Sequence, residues 1–423
     1  MIITWKQLYS DIHGAYEDTR QTKVNSDAHI EYAVDLEFNL DKTCTAIYKR
    51  TYDPGPAKRF LCEDPVKREI FCSSFFHRVV CRLLYNYLRP VLEPTFIYDS
   101  YSCQKGKGTQ MGREQFAHHV RSCTQNYQYR GYVLKGDLSG YFMSINRKIL
   151  LKLVLDRIHG RLNARDTFGH KFEDTLDLEM IEYLTTLVIM RDPLEGCITI
   201  GREEEFLDIP PQKLLQNAPP GVGLAIGDIT SQLFSNVYLD ELDRYAKHVL
   251  HCKYYGRYVD DFYIVDLDKR ELQHVKLQIE QFLRERLQLR LNMQKTRILR
   301  ADQGVQFLGV MVLPFRMYAC TRTIKRFRRT IHKLEEKCNG PQSPDRYQLE
   351  HMRSSINSYL GHLYHFKTHR IVATMLSHSP LLQYFELDQA LKLVFFFASQ
   401  TGWPIRSAMT SCAISHDGAC HQP

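Results

Sequence analysis

The stretch Lys253-Tyr-Tyr-Gly-Arg-Tyr-Val-Asp-Asp-Phe-Tyr-Ile-Val265 constrains this chain most. Two adjacent carboxylates, Asp260 and Asp261, stand between runs of aromatic, β-branched and apolar residues. Such runs read as two strands, with the acidic pair at the tight turn joining them. Charges at a hairpin tip need solvent, a partner or a metal, because an unpaired buried carboxylate is costly. A solvated turn fits the same pattern, since Asp is a common turn residue.

A second stretch, Tyr132-Val-Leu-Lys-Gly-Asp-Leu-Ser-Gly-Tyr-Phe-Met-Ser-Ile145, places Asp137 at the end of a strand, Tyr132–Leu134. Five residues on, Phe142 lies where a turn brings a flat ring beside that carboxylate. Alone, Asp137 also reads as a turn residue and the aromatic pair as core. Together with the Asp-Asp hairpin it gives two or three carboxylates that one fold can bring together. Two Mg²⁺ ions about 3.5–4 Å apart would bridge them and hold a triphosphate and a primer 3′ oxygen for in-line attack. Phosphoryl transfer asks little covalent chemistry of the protein, so positioning and charge neutralisation suffice.

The 423 residues, 44% of them hydrophobic, can bury a large core in two or three subdomains. A net charge of +8 favours a polyanionic partner, although ordinary proteins also carry such a charge. No charged and apolar leader suggests secretion, and the longest apolar run, Leu393–Ala398, is of core-strand or core-helix length. The twelve cysteines lack paired spacing and read as buried thiols. The tail residues Cys412, His416, Cys420 and His421 offer four soft ligands, at a spacing cramped for zinc.

Along the chain, Trp5, Leu8, Ile12 and Tyr16 have helical spacing, and a strand is expected around Cys44–Arg50. Glu63–Ile70 turns from Asp64-Pro65 into a strand carrying Lys67 and Arg68. His77–Leu88 reads as an amphipathic helix that ends before Pro90. Ser100–Thr109 supplies glycines that let backbone approach an anion, beside Lys105 and Lys107, without the ending of a Walker loop. A Gly-rich loop from Pro219 runs into an amphipathic helix bearing Thr230, Ser231 and Gln232 in its first turn. Glu271–Glu285 reads as a charged helix with an apolar stripe, and Val305–Val310 as a strand. Arg322, Lys325, Arg326, Arg328, Arg329 and Lys333 crowd one helix, a run that fits a duplex backbone or a solvated face. Residues 345–395 read as helices with aromatic stripes.

The Tyr258-Val-Asp-Asp261 box, the Asp137 strand, the Gly loop and Phe307-Leu-Gly309 occur in the order and spacing of a reverse transcriptase, from about residue 50 to 315. The chain resembles most the reverse transcriptases of diversity-generating retroelements. Ile226-Gly-Asp-Ile-Thr-Ser-Gln232 is similar to that group's Ile/Val/Leu-Gly-x3-Ser-Gln signature, and Ser100–Thr109 and Pro65-Val-Lys-Arg-Glu-Ile70 match further motifs. His77 departs from the pattern, which more often has Asp before Arg78-Val-Val, and this puts a local fingers contact in doubt.

The resemblance implies a right-hand α+β fold with fingers, an antiparallel-sheet palm backed by helices, and a helical thumb. The expected division is an N-terminal extension over 1–60, fingers over 61–130, and palm over 131–315 with part of the fingers inserted at 150–220. A thumb over 316–395 and a tail over 396–423 would follow. Asp137, Asp260 and Asp261 would be the catalytic carboxylates, with Leu138 joining them in the metal set, for two Mg²⁺ ions or Mn²⁺ as a substitute. Lys67 and Arg68 would contact the incoming dNTP beside Phe142, Ile226 and Gly227, with Phe142 as the steric gate against a ribose 2′-hydroxyl. Lys295 would be the general acid for the pyrophosphate leaving group. Ser231, Gln232, Tyr258 and Val259 would complete the signature motifs, and Phe307, Leu308 and Gly309 the primer grip. Lys105, Lys107 and the basic helix would hold nucleic acid.

Most reverse transcriptases have Gln where this chain has Ile226. An aliphatic side chain cannot hydrogen-bond the nascent pair, so correct geometry is rewarded less and fidelity should fall. The resemblance implies errors concentrated opposite template adenines, which Ile226 and Arg68 together would permit. Implied partners are a structured template RNA, the RNA/DNA hybrid, dNTPs and a small basic oligomeric accessory protein, in the cytoplasm of a bacterium or its phage, with no membrane. Alternatives are a group II intron, retron-type or defence-associated enzyme, and a non-catalytic RNA-binding scaffold. The hundred or so residues after Phe307–Gly309 leave room for a thumb and little else, and no Val-Thr-Gly stretch of the retron type follows.

Overall fold

Residues 5–48 form helices that the apolar spacing dictates. In a computed structural model, which describes residues 2–388 except 22, 24, 25, 64, 65, 341 and 342, together with 394–396, α1 (Trp5–Arg20) buries Leu8, Ile12 and Tyr16. It packs against α3 (Leu36–Tyr48) and α4 (Phe75–Leu92), with α2 (Asp27–Val34) alongside. The strand expected around Cys44–Arg50 is instead the last turns of α3. Leu40, Thr43, Cys44 and Ile47 fall three to four residues apart and are buried, so the helical stripe overrides the β-branched composition. Likewise α4 runs through Pro90, which sits in its last turn, where the missing N–H removes one terminal hydrogen bond.

Three short strands form one sheet in the order β2-β1-β4: β1 (Lys58–Cys62), β2 (Arg68–Cys72) and β4 (Ile198–Thr199). The parallel β1–β4 pairing brings the segment after α9 (Leu178–Met190) back to the N-terminal strands. Between them lie α5 (Thr109–Cys123), β3 (Tyr132–Asp137), α6 (Tyr141–Ser144), α7 (Arg147–His159) and α8 (Phe172–Thr175).

The central sheet has the order β5-β6-β3-β7, all antiparallel, with β5 (Tyr254–Tyr258), β6 (Asp261–Asp266) and β7 (Arg297–Arg300). Helices α10 (Ile229–Arg244) and α11 (Lys269–Arg286) back it; Leu272, Val275, Ile279 and Leu283 of α11 are buried in the same core as Phe262 and Ile264. Gly136 is required where β3 faces β6, because a Cβ there would stand 2.1 Å from the Phe262 ring.

A second sheet, β8 (Val305–Phe307), β9 (Val310–Leu313) and β10 (Arg316–Ala319), leads into α12 (Thr321–Cys338), α13 (Arg346–Tyr364) and α14 (His369–Leu376). The single strand expected over Val305–Val310 is two strands folded back at Leu308-Gly309, both with positive φ. Helix α12 buries Phe327, Ile331, Leu334 and Cys338 and leaves Arg322, Lys325, Arg328, Arg329 and Lys333 exposed. Residues 345–395 are not helical throughout: β11 (Phe385–Leu387) pairs with β12 (Val394–Phe396). The tail residues Cys412, His416, Cys420 and His421 lie outside the described residues. No described helix is long and apolar enough to cross a membrane.

Candidate active site

Strand pairing assembles the carboxylates. Asp137, last in β3, pairs with Asp261, first in β6, and Asp260 occupies the turn before it. Tyr258 pairs with Asp261, so Val259 and Asp260 are the two loop residues of the hairpin. Val259 has φ +53°, unusual for a β-branched side chain and held only where the surroundings over-determine it. Here the Ser102 hydroxyl accepts from Val259 N at 3.0 Å, and the Val259 carbonyl accepts from Arg257 Nη1 at 2.9 Å.

Arg257 is the deepest charge in the hairpin, 1% exposed. Its guanidinium bonds Asp243 of α10 through both oxygens, at 2.7 and 2.6 Å, and reaches Ser100 Oγ at 3.2 Å. Backbone bonds Tyr101 N to Arg257 O and Arg257 N to Asp99 O lace residues 99–101 to β5. The start of the loop read as an anion-approaching segment therefore braces the Asp260–Asp261 hairpin. Lys107 donates inward to the carbonyls of Ile97, Tyr98 and Ser100, and Lys105 is exposed.

Burial, then the neighbouring Asp261 and Asp137, push Asp260 up to about 6. Burial also raises Asp261, against the pull of Lys135. Lys295 Nζ stands 3.0 Å from each Asp137 oxygen, and Asn292 Nδ2 donates to the same carboxylate at 3.0 Å. Three carboxylates converging in a half-buried cleft, two of them held above their ordinary range, form a hard-oxygen donor set suited to divalent cations. Leu138, buried, continues β3 by bridging to Leu291.

The loop before α10 is bonded to the segment after β3 and to β2. Leu224 N donates to Phe142 O and Phe71 N to Ile226 O. Phe142 is half-buried and meets Tyr141 edge-on at 5.3 Å. Ile226 is half-buried against Phe71, Met143 and Leu215. Gly227, at φ +149°, could not carry a Cβ, which would meet the Phe71 carbonyl at 2.2 Å. Ser231 is buried and Gln232 exposed on α10. Arg68 is exposed, and Lys67 is engaged with Asp208 at 2.5 Å.

Phe307 is buried against Phe116 and Tyr263, while Leu308 O accepts from Arg113 Nε at 2.8 Å and Gly309 O from Cys320 N. Arg326 is half-buried, unlike the other basic residues expected on α12. His77, where a fingers contact was in question, is interior: it is 1% exposed, its Nδ1 lies 3.1 Å from the Tyr52 hydroxyl, and burial depresses it to about 3. Asn292, Ser102 and the Arg257–Asp243 pair were missed from sequence. Arg257 carried a signal, a charge inside an otherwise apolar strand.

Residues 193–312 match the family described as reverse transcriptase (RNA-dependent DNA polymerase). The molecule has a right-hand polymerase fold, with an antiparallel palm sheet and a helical thumb. The chain carries the catalytic unit of an RNA-directed DNA polymerase, a nucleotidyltransferase of a kind that uses divalent metal ions. Among curated proteins, it is 25% identical over 316 residues to protein YkfC of Escherichia coli (strain K12), spanning 66% of this chain and 71% of that one. Solved telomerase structures from Candida albicans, with a TWJ fragment of telomeric RNA, and apo from Candida tropicalis align at TM-score 0.44 for each. They are 12% and 13% identical, and the alignments cover 78% and 76% of this chain. The chain spans under two thirds of those telomerases, 58% and 59%.

Proposed function

We propose that the protein copies a structured template RNA into DNA with errors directed to template adenines, as a diversity-generating retroelement enzyme does. The reading rests on a complete carboxylate set, Asp137, Asp260 and Asp261, together with an aliphatic residue, Ile226, in the loop whose Leu224 bonds the Phe142 backbone a few residues after Asp137. Two Mg²⁺ ions, or Mn²⁺, would supply Lewis-acid stabilisation of the phosphoryl group when bound. Asp137, Asp260 and Asp261 would hold them beside Leu138.

Lys295, which neutralises Asp137 in this structure, would protonate the departing pyrophosphate once the carboxylate charge is otherwise balanced. Phe142 would press on the ribose where a 2′-hydroxyl would sit. Lys67, on leaving Asp208, and Arg68 would grip the triphosphate. Residues 1–60 would extend the fingers of 61–130 and of 150–220, the palm would span 131–315, the thumb 316–395 and the tail 396–423. The turn at Phe307–Gly309 would grip the primer, and the exposed face of α12, with Lys105, would track the hybrid. A small basic oligomeric protein would help hold the RNA, in a bacterial or phage-infected cytoplasm.

The test is primer extension on an RNA template with Mg²⁺, with and without that protein and its RNA, followed by sequencing. Substitutions clustered opposite adenines support the reading. Faithful cDNA favours an intron or retron-type enzyme. DNA made without template favours a defence-associated enzyme, and no product at all a scaffold.

A further inference from the structure

Among the described residues, one group combines a histidine, a cysteine and a carboxylate with their ligand atoms within 4.8 Å of one another: His77, Cys81 and Asp228. It is separate from the palm carboxylates and fully interior. His77 and Cys81 lie four residues apart on α4 and so share one face. Asp228 occupies the N-cap position of α10, directly after Ile226-Gly227.

Three features of this cluster point to a ligand. The Asp228 side chain does not cap its own helix, as an Asp there ordinarily would, but is turned towards α4, with Oδ2 accepting from Ser73 Oγ at 2.9 Å. The Thr230 hydroxyl beside the thiol is buried and makes no hydrogen bond of normal geometry. The Tyr52 hydroxyl holds His77 Nδ1 at 3.1 Å, leaving Nε2 to face Cys81 Sγ at 3.4 Å. An outer partner on one ring nitrogen and a soft donor beside the other is the arrangement that orients a ligating histidine.

We propose that His77 Nε2, Cys81 Sγ and an Asp228 oxygen form a structural Zn²⁺ site that ties α4 to the start of α10. Nitrogen, sulfur and oxygen donors are those zinc takes in tetrahedral sites, where bonds of about 2.0–2.3 Å put donor atoms roughly 3.3–3.8 Å apart. The His77–Cys81 separation already falls in that range. A thiolate and a carboxylate balance the ion's charge, so the complex is neutral and its burial is cheap compared with that of a lone charge. Thr230 or one water can fill the fourth position. The ion would fix the helix start from which the Ile226–Gly227 loop hangs, without touching substrate.

The full chain, expressed with zinc and desalted, is assayed by elemental analysis, and again after exchange with Co²⁺. One zinc per chain, and a sulfur-to-cobalt charge-transfer band in the near ultraviolet, are expected. Both should vanish in Cys81→Ser and persist in Cys252→Ser, a buried cysteine elsewhere. Metal that survives Cys81→Ser, for example on the C-terminal cysteines and histidines, overturns the proposal. If Cys81→Ser fails to fold, the wild-type chain decides: no retained zinc, or a cobalt spectrum without a thiolate band, overturns it.

Discussion

Replacing Arg257 by Met would remove the only guanidinium facing Asp243 among the described residues while keeping most of the side-chain volume. Asp243 is 0% exposed, so the variant leaves a carboxylate in the interior with only the Tyr255 hydroxyl beside it. Breaking such a pair costs about 3–5 kcal/mol, and in a chain of this size a fall in Tm on the order of 5 °C. Burial already pushes Asp243 up, against the pull of Arg257. Without the arginine it takes up a proton, so the cost should shrink as pH falls. The double variant Asp243→Leu/Arg257→Met has no stranded charge and should recover most of the stability, since an apolar replacement of a buried pair is often neutral or better. Activity should not follow. The Val259 carbonyl would still lack its arginine donor, and a hairpin tip misplaced by about 1 Å costs on the order of a hundredfold in rate. Thermal melts and primer extension on wild type, both single variants and the double variant measure the two effects separately. A double variant no more stable than Arg257→Met, or one with full polymerase activity, would refute this account of the hairpin.

Asp260 binds a proton in the folded chain up to about 6, against 3.8 for an ordinary carboxyl, so stability without metal should fall as pH rises through that window. Added Mg²⁺ should offset the fall, giving a Tm gain that grows from pH 4 to 6 in scanning fluorimetry and flattens in Asp260→Asn. Ile226→Gln should lower misincorporation opposite adenines in sequenced cDNA while leaving total extension within a few-fold; an unchanged adenine error rate would sink the fidelity argument. Gly227→Ala must push the loop off the Phe71 carbonyl, and should raise the KM for dNTPs by roughly tenfold at unchanged melting temperature of the α12–α14 region. Paired alanines at Arg328 and Arg329 should weaken binding to an RNA/DNA hybrid and reduce the slope of log affinity against log salt by about 2.

Much of the palm was legible because its signals are local. The apolar and aromatic runs on both sides of Asp260-Asp261 fix the hairpin, and strand-end Asp137 needs only one register to meet it. The 3.6-residue stripes of α4 and α11 were equally direct, and α12 was legible as a run of basic residues. What failed was local ambiguity resolved by tertiary contact. Cys44–Arg50 was expected to be a strand, but the stripe through Leu40, Cys44 and Ile47 packs against α1 as a helix. Val305–Val310 looked continuous because nothing but two positive φ values at Leu308 and Gly309 marks the fold-back. The bracing of Val259 by Ser102, and the meeting of His77 and Cys81 with Asp228, join residues more than a hundred positions apart and leave no periodic trace.

The strand order β5-β6-β3-β7 also dictates a timetable for biosynthesis. Strand β3 is interior to the sheet, yet both neighbours are encoded after it: β6 begins at Asp261 and β7 ends at Arg300. At the pace of a ribosome, about 5–20 residues per second, Val133 and Leu134 leave the exit tunnel on the order of ten seconds before anything can pair with them. Throughout that interval an apolar strand is exposed on both edges, a template for wrong partners. The nascent protein is therefore most prone to aggregation just before it becomes a polymerase, and slowing translation between residues 137 and 261 should lower the soluble yield more than an equal delay after residue 300.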